Sequence, residues 1–214
     1  PKGKLMVVPK AEIVVEDSWH TSGLRGTGST HFHAEDLFVP EHRTIGFPFP
    51  EPQRGGALIR LPVLGFFGPA FSGFPQGVGR RALDEIVTLA KSKSRIGRET
   101  TVAERPVFQR DLALAYGQLH SVGLWVRQEL QQLWTDLHDA VDASELTTAR
   151  RLASFAANSD AAIRATEVAF RYGGGDALFD SSPLQRSLRD MRVGEQHILV
   201  SESNYEGLGK ALTL

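Results

Sequence analysis

"RPVFQRDLALAYGQLHSVGLWVRQELQQLWTDLH", residues 105–138, decides the fold. Phe108, Leu112, Ala115, Leu119, Val122, Val126, Leu130, Leu133 and Leu137 recur every three or four positions, which is the period of one face of an α-helix. Pro106 suits a first helical turn, where a missing N–H removes no hydrogen bond. An apolar stripe this long has to be covered by other helices, so the chain reads as largely helical.

Neighbouring segments agree. Upstream, Val78, Ala82, Ile86 and Leu89 form a shorter stripe. Downstream, Asp142 with Glu145 predicts a capping box for a helix over about 144–172. The glycines of "GGGD" stop that helix, and Ser182 with Pro183 opens another as N-cap and first residue. Before residue 50 the pattern changes. "KLMVVPKAEIVVEDSWHTSG" and "STHFHAEDLFVP" carry β-branched and aromatic residues in short alternating runs, which predict three or four antiparallel strands. The expected fold class is therefore mainly α: a four-helix bundle over 51–214, preceded by a partial antiparallel β domain over 1–50. So small a sheet buries too little apolar surface to stand alone. It is expected to lean on the bundle, on another subunit or on a segment upstream, and a chain that starts at Pro1 reads as processed or partial.

Composition narrows the function classes. Lys and Arg total 24 against 25 Asp and Glu, with no basic block, so nucleic acid and anionic membranes are not expected partners. The absence of cysteine excludes a disulfide scaffold, a thiolate metal site and a thiol nucleophile, and fits the cytoplasm. Leu61 to Gly79 is uncharged, but its prolines and glycines argue against a membrane span. It reads instead as the entry to a buried helix or the wall of an apolar cavity.

Three stretches carry chemistry. "GLRGTGSTHFHAED", 23–36, lacks the spacing of a phosphate loop or dinucleotide fingerprint and is followed by a strand, not a helix. Strand alternation would put His31, His33 and Glu35 on one face, but Leu37 and Phe38 stand where the cupin pattern places its carboxylate. A solvated face or subunit contact is expected there, with no metal. In "SSPLQRSLRDMRVGEQH", 181–197, helical geometry puts Arg186, Asp190 and His197 within about 40° of one another. Arg186 and Asp190 suit an i, i+4 ion pair. His197 is either incidental or, where a helix meets a cleft, a group for proton transfer or hydrogen bonding. In the third stretch, Arg95, Arg98, Arg105 and Arg110 cluster at the join of two helices, as phosphate contacts or helix-end charge.

Taken in order, "DSWHTSGLRGTGSTHFHAEDLFVPEHRT", "SRIGRETTVAERPVFQRDLALA" and "RYGGGDALFDSSPLQRSLRDMRVGEQH" resemble the acyl-CoA dehydrogenase superfamily. The chain looks most like its oxygenase branch, the two-component flavin-dependent monooxygenases that hydroxylate aromatic and phenolic compounds. The resemblance implies the end of the middle β domain followed by the C-terminal four-helix bundle, usually in a homotetramer. Dehydrogenases of this type carry a glutamate base nine residues after the arginine of the "RD" pair. Here that slot is Ile198, preceded by His197.

In the oxygenase branch a histidine matching His197 sits beside the flavin, which implies His197 as the catalytic residue. The implied cofactor is reduced FMN or FAD, supplied by a separate flavin reductase. It reacts with O2 to a C4a-hydroperoxyflavin that hydroxylates a small aromatic substrate. Arg95 matches the arginine that binds flavin phosphate, often across a subunit boundary, and Gly173, Gly174 and Gly175 match a backbone segment beside the flavin. Arg171 and Arg25 are implied as further cofactor contacts, and Phe66, Phe67, Phe71 and Phe74 as substrate-cavity walls. The family's N-terminal helical domain and first β strands have no counterpart in the sequence. The alternatives left open are an acyl-CoA dehydrogenase-type oxidoreductase with its base elsewhere, and a non-catalytic oligomerisation fragment.

Overall fold

Small side chains make one helix the axis of the molecule. The structure, a computed structural model, describes residues 3–47, 49, 54–61 and 63–214. Its long helices are α1 (Val63–Ser92), α2 (Pro106–His138) and α3 (Glu145–Gly173), followed by α4 (Pro183–Gly194) and α5 (Ser203–Thr213). On α3 the buried set includes Ala153, Ala156, Ala161, Ala162, Ala165 and Ala169, together with Phe155, Val168 and Tyr172. Alanine and serine let neighbouring backbones approach closely. A Cβ on Gly79 of α1 would already lie 3.1 Å from the Ala162 Cα. So α1, α2, α4 and α5 all pack on α3, while α1 and α2 touch each other far less. The core runs from Ala82, Leu83 and Ile86 through Phe108, Ala115 and Leu119 to Leu184 and Met191.

The 105–138 stripe folds as its period predicts: Phe108, Ala115, Leu119, Val126 and Leu133 are buried. Pro106 takes the first turn of α2, and Ser182 and Pro183 start α4. Two expectations need correction, the capping box and the number of helices. The Asp142 capping box does not form; Ser144 is the N-cap of α3, its hydroxyl accepting the Thr147 N–H at 3.1 Å. The uncharged stretch, expected to enter a buried helix, forms from Val63 onward the first half of α1, with Pro69 and Pro75 inside the helix. Proline removes an N–H from the ladder there, and the buried amides beside it are tied across the bundle. Asn158 donates to the Ser72 carbonyl at 2.8 Å, and Gln76 donates to Asn158 at 2.5 Å and to the Leu119 carbonyl at 3.1 Å. A fifth helix, α5, follows the expected four, pinned to α3 where Tyr205 donates to Asp160 at 2.6 Å.

The expected single sheet is two separate antiparallel pairs, β1 (Gly3–Met6) with β4 (Thr44–Phe47) and β2 (Val14–Val15) with β3 (Phe32–His33). Leu5, Val7, Val14, Phe32, Phe38 and Phe47 are exposed, so this segment presents apolar surface that the bundle does not cover. The expected domain boundary at 50 and 51 lies outside the described residues. No helix among the described residues is long and apolar enough to cross a membrane.

Candidate functional site

His197 leaves the helix that was expected to carry it. α4 ends at Gly194, and the chain turns into a short 3-10 turn, Ile198–Val200, with His197 as its N-cap. His197 therefore does not share a helical stripe with Arg186 and Asp190. Gly194 allows the turn, because a Cβ there would lie 2.9 Å from the Cε1 of Phe74 on α1. This close approach carries the imidazole onto α1, where it stacks on Phe71 with ring centroids 4.2 Å apart and planes at 24°. Leu199 and Val200 are buried beneath the turn. The Leu199 N–H donates to His197 Nδ1 at 3.2 Å.

Phe67, Phe71 and Phe74 are spaced to share one face of α1. Phe71 and Phe74 are in contact at 6.5 Å, and Phe67 meets Phe66 edge-on at 5.4 Å, with both of the latter about half exposed. Of the residues expected to line a substrate cavity, Phe71 thus touches the expected catalytic histidine and Phe74 lies against Phe71, while Phe66 and Phe67 form an exposed pair nearer the start of α1. Carboxylates near that corner are already engaged. Asp190 accepts the Leu24 N–H at 2.7 Å and faces Arg186 at 3.5 Å, and Glu195 is held by Arg192 at 3.3 Å. Ile198, in the slot of the dehydrogenase base, is an exposed apolar side chain.

The residues expected to hold phosphate gather at the other end of α1, roughly 30 Å from Phe71 at about 1.5 Å of rise per residue. The loop joining α1 to α2 is a small hairpin, closed by a Ser94–Thr101 bridge and by the Val102 N–H donating to the Lys93 carbonyl at 2.7 Å. Glu104 accepts from the Thr101 N–H and hydroxyl at 2.6 and 2.8 Å, and these bonds hold its carboxyl below the usual value. Val102 is fully buried, anchoring the hairpin while Arg95, Ile96 and Arg98 project from it.

Against this hairpin lies the glycine run, where Lys93 pairs with Asp176 at 2.5 Å. Its three glycines do different things. A Cβ on Gly173 would collide with Leu184 and Ala177, so this glycine serves helix packing; Gly174 has φ of 55°, and Gly175 faces open space. Arg171 is exposed on the last turn of α3. Exposed arginines on the hairpin and on the last turn of α3, with an open glycine backbone at Gly175, fit a phosphate-bearing cofactor, and Arg105 Nη1, buried at the same join, has no hydrogen-bond partner among the described residues.

Arg25 belongs to neither end. The turn Leu24–Gly28 sits on α4, with Leu24 and Gly28 both at positive φ and Arg25 Nε donating to the Thr21 carbonyl at 3.0 Å. Together with Arg186 and Arg189 it rims a hollow of about 360 Å³. The stretch after it is not the regular strand that the metal reading required. His33 pairs with Glu16, just after β2, at 3.1 Å, Glu35 and Asp36 form a bend, and among the described residues no three metal-binding side chains come together.

Two buried polar pairs escaped sequence reasoning. Tyr172 donates to Asp111 at 2.8 Å, joining α3 to α2 just below the hairpin. Arg110 and then Tyr172 hold the Asp111 carboxyl below its usual value, and burial followed by the Asp111 bond raises the Tyr172 phenol. Glu129, 1% exposed, accepts from Arg150 at 2.6 Å and from the Trp125 indole at 3.2 Å. In both cases the sequence signal is an acidic residue in register with the apolar stripe.

A family model described as acyl-CoA dehydrogenase, C-terminal domain, matches residues 70–202, more than half of the chain. The chain belongs to that family. Within it, indole-3-acetate monooxygenase of Pseudomonas putida is 30% identical over 211 residues, covering 96% of this chain and 53% of that protein. The FADH(2)-dependent resorcinol hydroxylase, oxygenase component, of Rhizobium sp. is 26% identical over 227 residues, covering 98% and 54%. XiaF from Streptomyces sp., solved in complex with FADH2 and glycerol, superposes with a TM-score of 0.88 at 23% identity, covering 98% of this chain and 55% of that one. Butyryl-CoA dehydrogenase from Megasphaera elsdenii superposes with a TM-score of 0.70 at 18% identity, covering 95% and 49%. The acyl-CoA dehydrogenase fold of the bundle is thus established, and the chain spans about half the length of the curated relatives it matches.

Proposed function

We propose that this chain is the bundle half of the oxygenase component of a two-component flavin-dependent monooxygenase, hydroxylating an aromatic or phenolic substrate. One observation carries the reading: His197 is stacked on Phe71 at the corner where a dehydrogenase of this family would place its base, while Ile198 occupies the base's own slot. An imidazole against an apolar aromatic wall suits hydrogen bonding to an oxygen-bearing group. It leaves the dehydrogenase alternative without a free carboxylate on α4 to take an acidic C–H proton. The names of the relatives point the same way.

The flavin, when bound, supplies the oxygen-activating chemistry. This chain's residues supply the surroundings. Arg95, with Arg171, would hold phosphate, and the open backbone at Gly175 would allow the cofactor close approach. Phe67, Phe71 and Phe74 would exclude water and present a flat apolar surface to an aromatic ring. His197 would present a polar edge at that surface.

Since the Arg95 and His197 ends lie roughly 30 Å apart along α1, we assign them to different flavins in a homotetramer, each site completed by a second copy. A separate reductase would deliver reduced FMN or FAD. The absence of cysteine supports a cytoplasmic setting. In the complete enzyme, His197→Ala is expected to abolish most substrate hydroxylation while reduced-flavin binding, followed by fluorescence, persists. Undiminished hydroxylation by that variant would refute the assignment of His197.

A further inference from the structure

The turn that carries His197 is braced from the C-terminal side by a helix that the family resemblance assigned no role. α5 begins at Ser203, and its Asn204 amide donates to the Leu199 carbonyl at 2.9 Å. Tyr205 fixes the same helix to α3 through Asp160 at 2.6 Å. Burial first, and the Asp160 bond second, push the Tyr205 phenol far above its usual range, so it stays a donor. Asn204 thus fixes Leu199 from its carbonyl side, and the N–H of the same residue, on the preceding peptide group, points at His197 Nδ1, 3.2 Å away. A backbone N–H can only donate. The ring nitrogen facing it must therefore be the acceptor, and the proton of the neutral imidazole must sit on the other nitrogen. Phe71 covers one ring face, and among the described residues Nε2 has no partner.

We propose that Asn204 and Tyr205 are positioning residues that lock His197 into the Nε2–H tautomer, so that His197 meets the flavin and substrate as a hydrogen-bond donor and not as a base. A neutral imidazole protonated on Nε2 has no lone pair there to accept a substrate proton, but it can donate to an oxygen that carries negative charge. The lock needs all three links: α5 docked by Tyr205, Leu199 held at its carbonyl by Asn204, and Nδ1 occupied by the Leu199 N–H. The inference rests on the reading of His197 as the residue that faces the flavin, but the tautomer itself can be observed without flavin.

The test is proton–nitrogen correlation spectroscopy of the neutral rings in protein carrying nitrogen-labelled histidine, with His31 as the reference. His31 is exposed, and among the described residues its ring makes no hydrogen bond. His197 should show a single pattern, pyrrole-type at Nε2 and pyridine-type at Nδ1, more one-sided than His31. Asn204→Asp keeps the side-chain shape but removes the donor, and should move the His197 pattern toward that of His31. In the complete enzyme it should lower hydroxylation by about 10-fold or more through misplacement of the donor, with flavin affinity unchanged. A proton on Nδ1, or a wild-type pattern as mixed as that of His31, overturns the proposal without any variant. A His197 pattern unmoved by Asn204→Asp in protein that melts like wild type removes Asn204 from it. A locked tautomer in an enzyme whose hydroxylation survives His197→Ala upholds the lock and sinks the catalytic reading instead.

Discussion

Gly23 has no room for a side chain: a Cβ would press into the backbone of Arg189 and Asp190 on α4. Gly26, three residues on, has nothing within 4 Å of its would-be Cβ, and Gly28 is open but held at φ of 60°. Three glycines that look alike in "GLRGTG" thus answer a close contact, no constraint, and a left-handed turn. Gly23→Ala is expected to cost about 1–3 kcal/mol by forcing the turn off α4, and Gly26→Ala to stay within about 0.5 kcal/mol. Denaturant midpoints of the two variants check both; equal losses would mean that the loop does not rest on α4. The sequence showed a glycine-rich turn but not which glycine mattered, because the backbone against Gly23 is that of Arg189 and Asp190, far along the chain. His197 behaved differently. Its spacing from the "RD" pair located it, but its stacking on Phe71 and its bond from Leu199 depend on the chain leaving α4 after Gly194.

Helices were read well wherever one face was apolar and less well where backbone rules were bent. The stripes of α1 and α2 are the core faces that their periods predicted, because helical geometry alone puts those residues on one side. The first half of α1 was obscured by Pro69 and Pro75, between which the Ser72 carbonyl is held by Asn158 of α3. α5 was missed because it is short, and its glycines blur its period. Asp111 was hidden because a charge on an apolar stripe looks like an interruption until Tyr172 is seen opposite. Arg110 and Tyr172 hold its folded-state carboxyl below the unfolded value near 3.9. Its stabilising contribution is therefore complete above that value and lost as pH falls through the lower, folded one. Asp111→Asn should melt earlier than wild type at neutral pH, and the gap should close below about pH 4. A gap that is constant with pH would show that the charge of Asp111 contributes nothing.

The whole molecule sets its two groups of candidate site residues at opposite ends of one helical axis. His197 and the phenylalanines stand at the start of α1, the arginines and glycines at its finish, and α3 runs between them as a small-residue spine. Fold class was available from the stripes, and family from three stretches in register. The separation of the two ends was not, because distance along a bundle appears only once helix lengths and directions are known. If each flavin is shared by two copies, His197→Ala and Arg95→Ala variants of the complete enzyme should complement each other. Co-expressed, they should recover up to about a quarter of wild-type activity in dimeric pairs, while each alone is impaired; a mixture no better than its parts would place both residues at one copy's site.

The most direct measurement follows labelled dioxygen. The complete protein is supplied with reduced FMN or FAD by an unrelated reductase and offered a panel of small aromatic and phenolic compounds, and products are analysed by mass spectrometry. A flavin-dependent aromatic hydroxylase places one labelled oxygen atom in an aromatic product, dependent on reduced flavin and lost in His197→Ala. Bleaching of bound oxidised flavin by an acyl-CoA in the absence of oxygen, with no label in any aromatic product, would contradict that assignment.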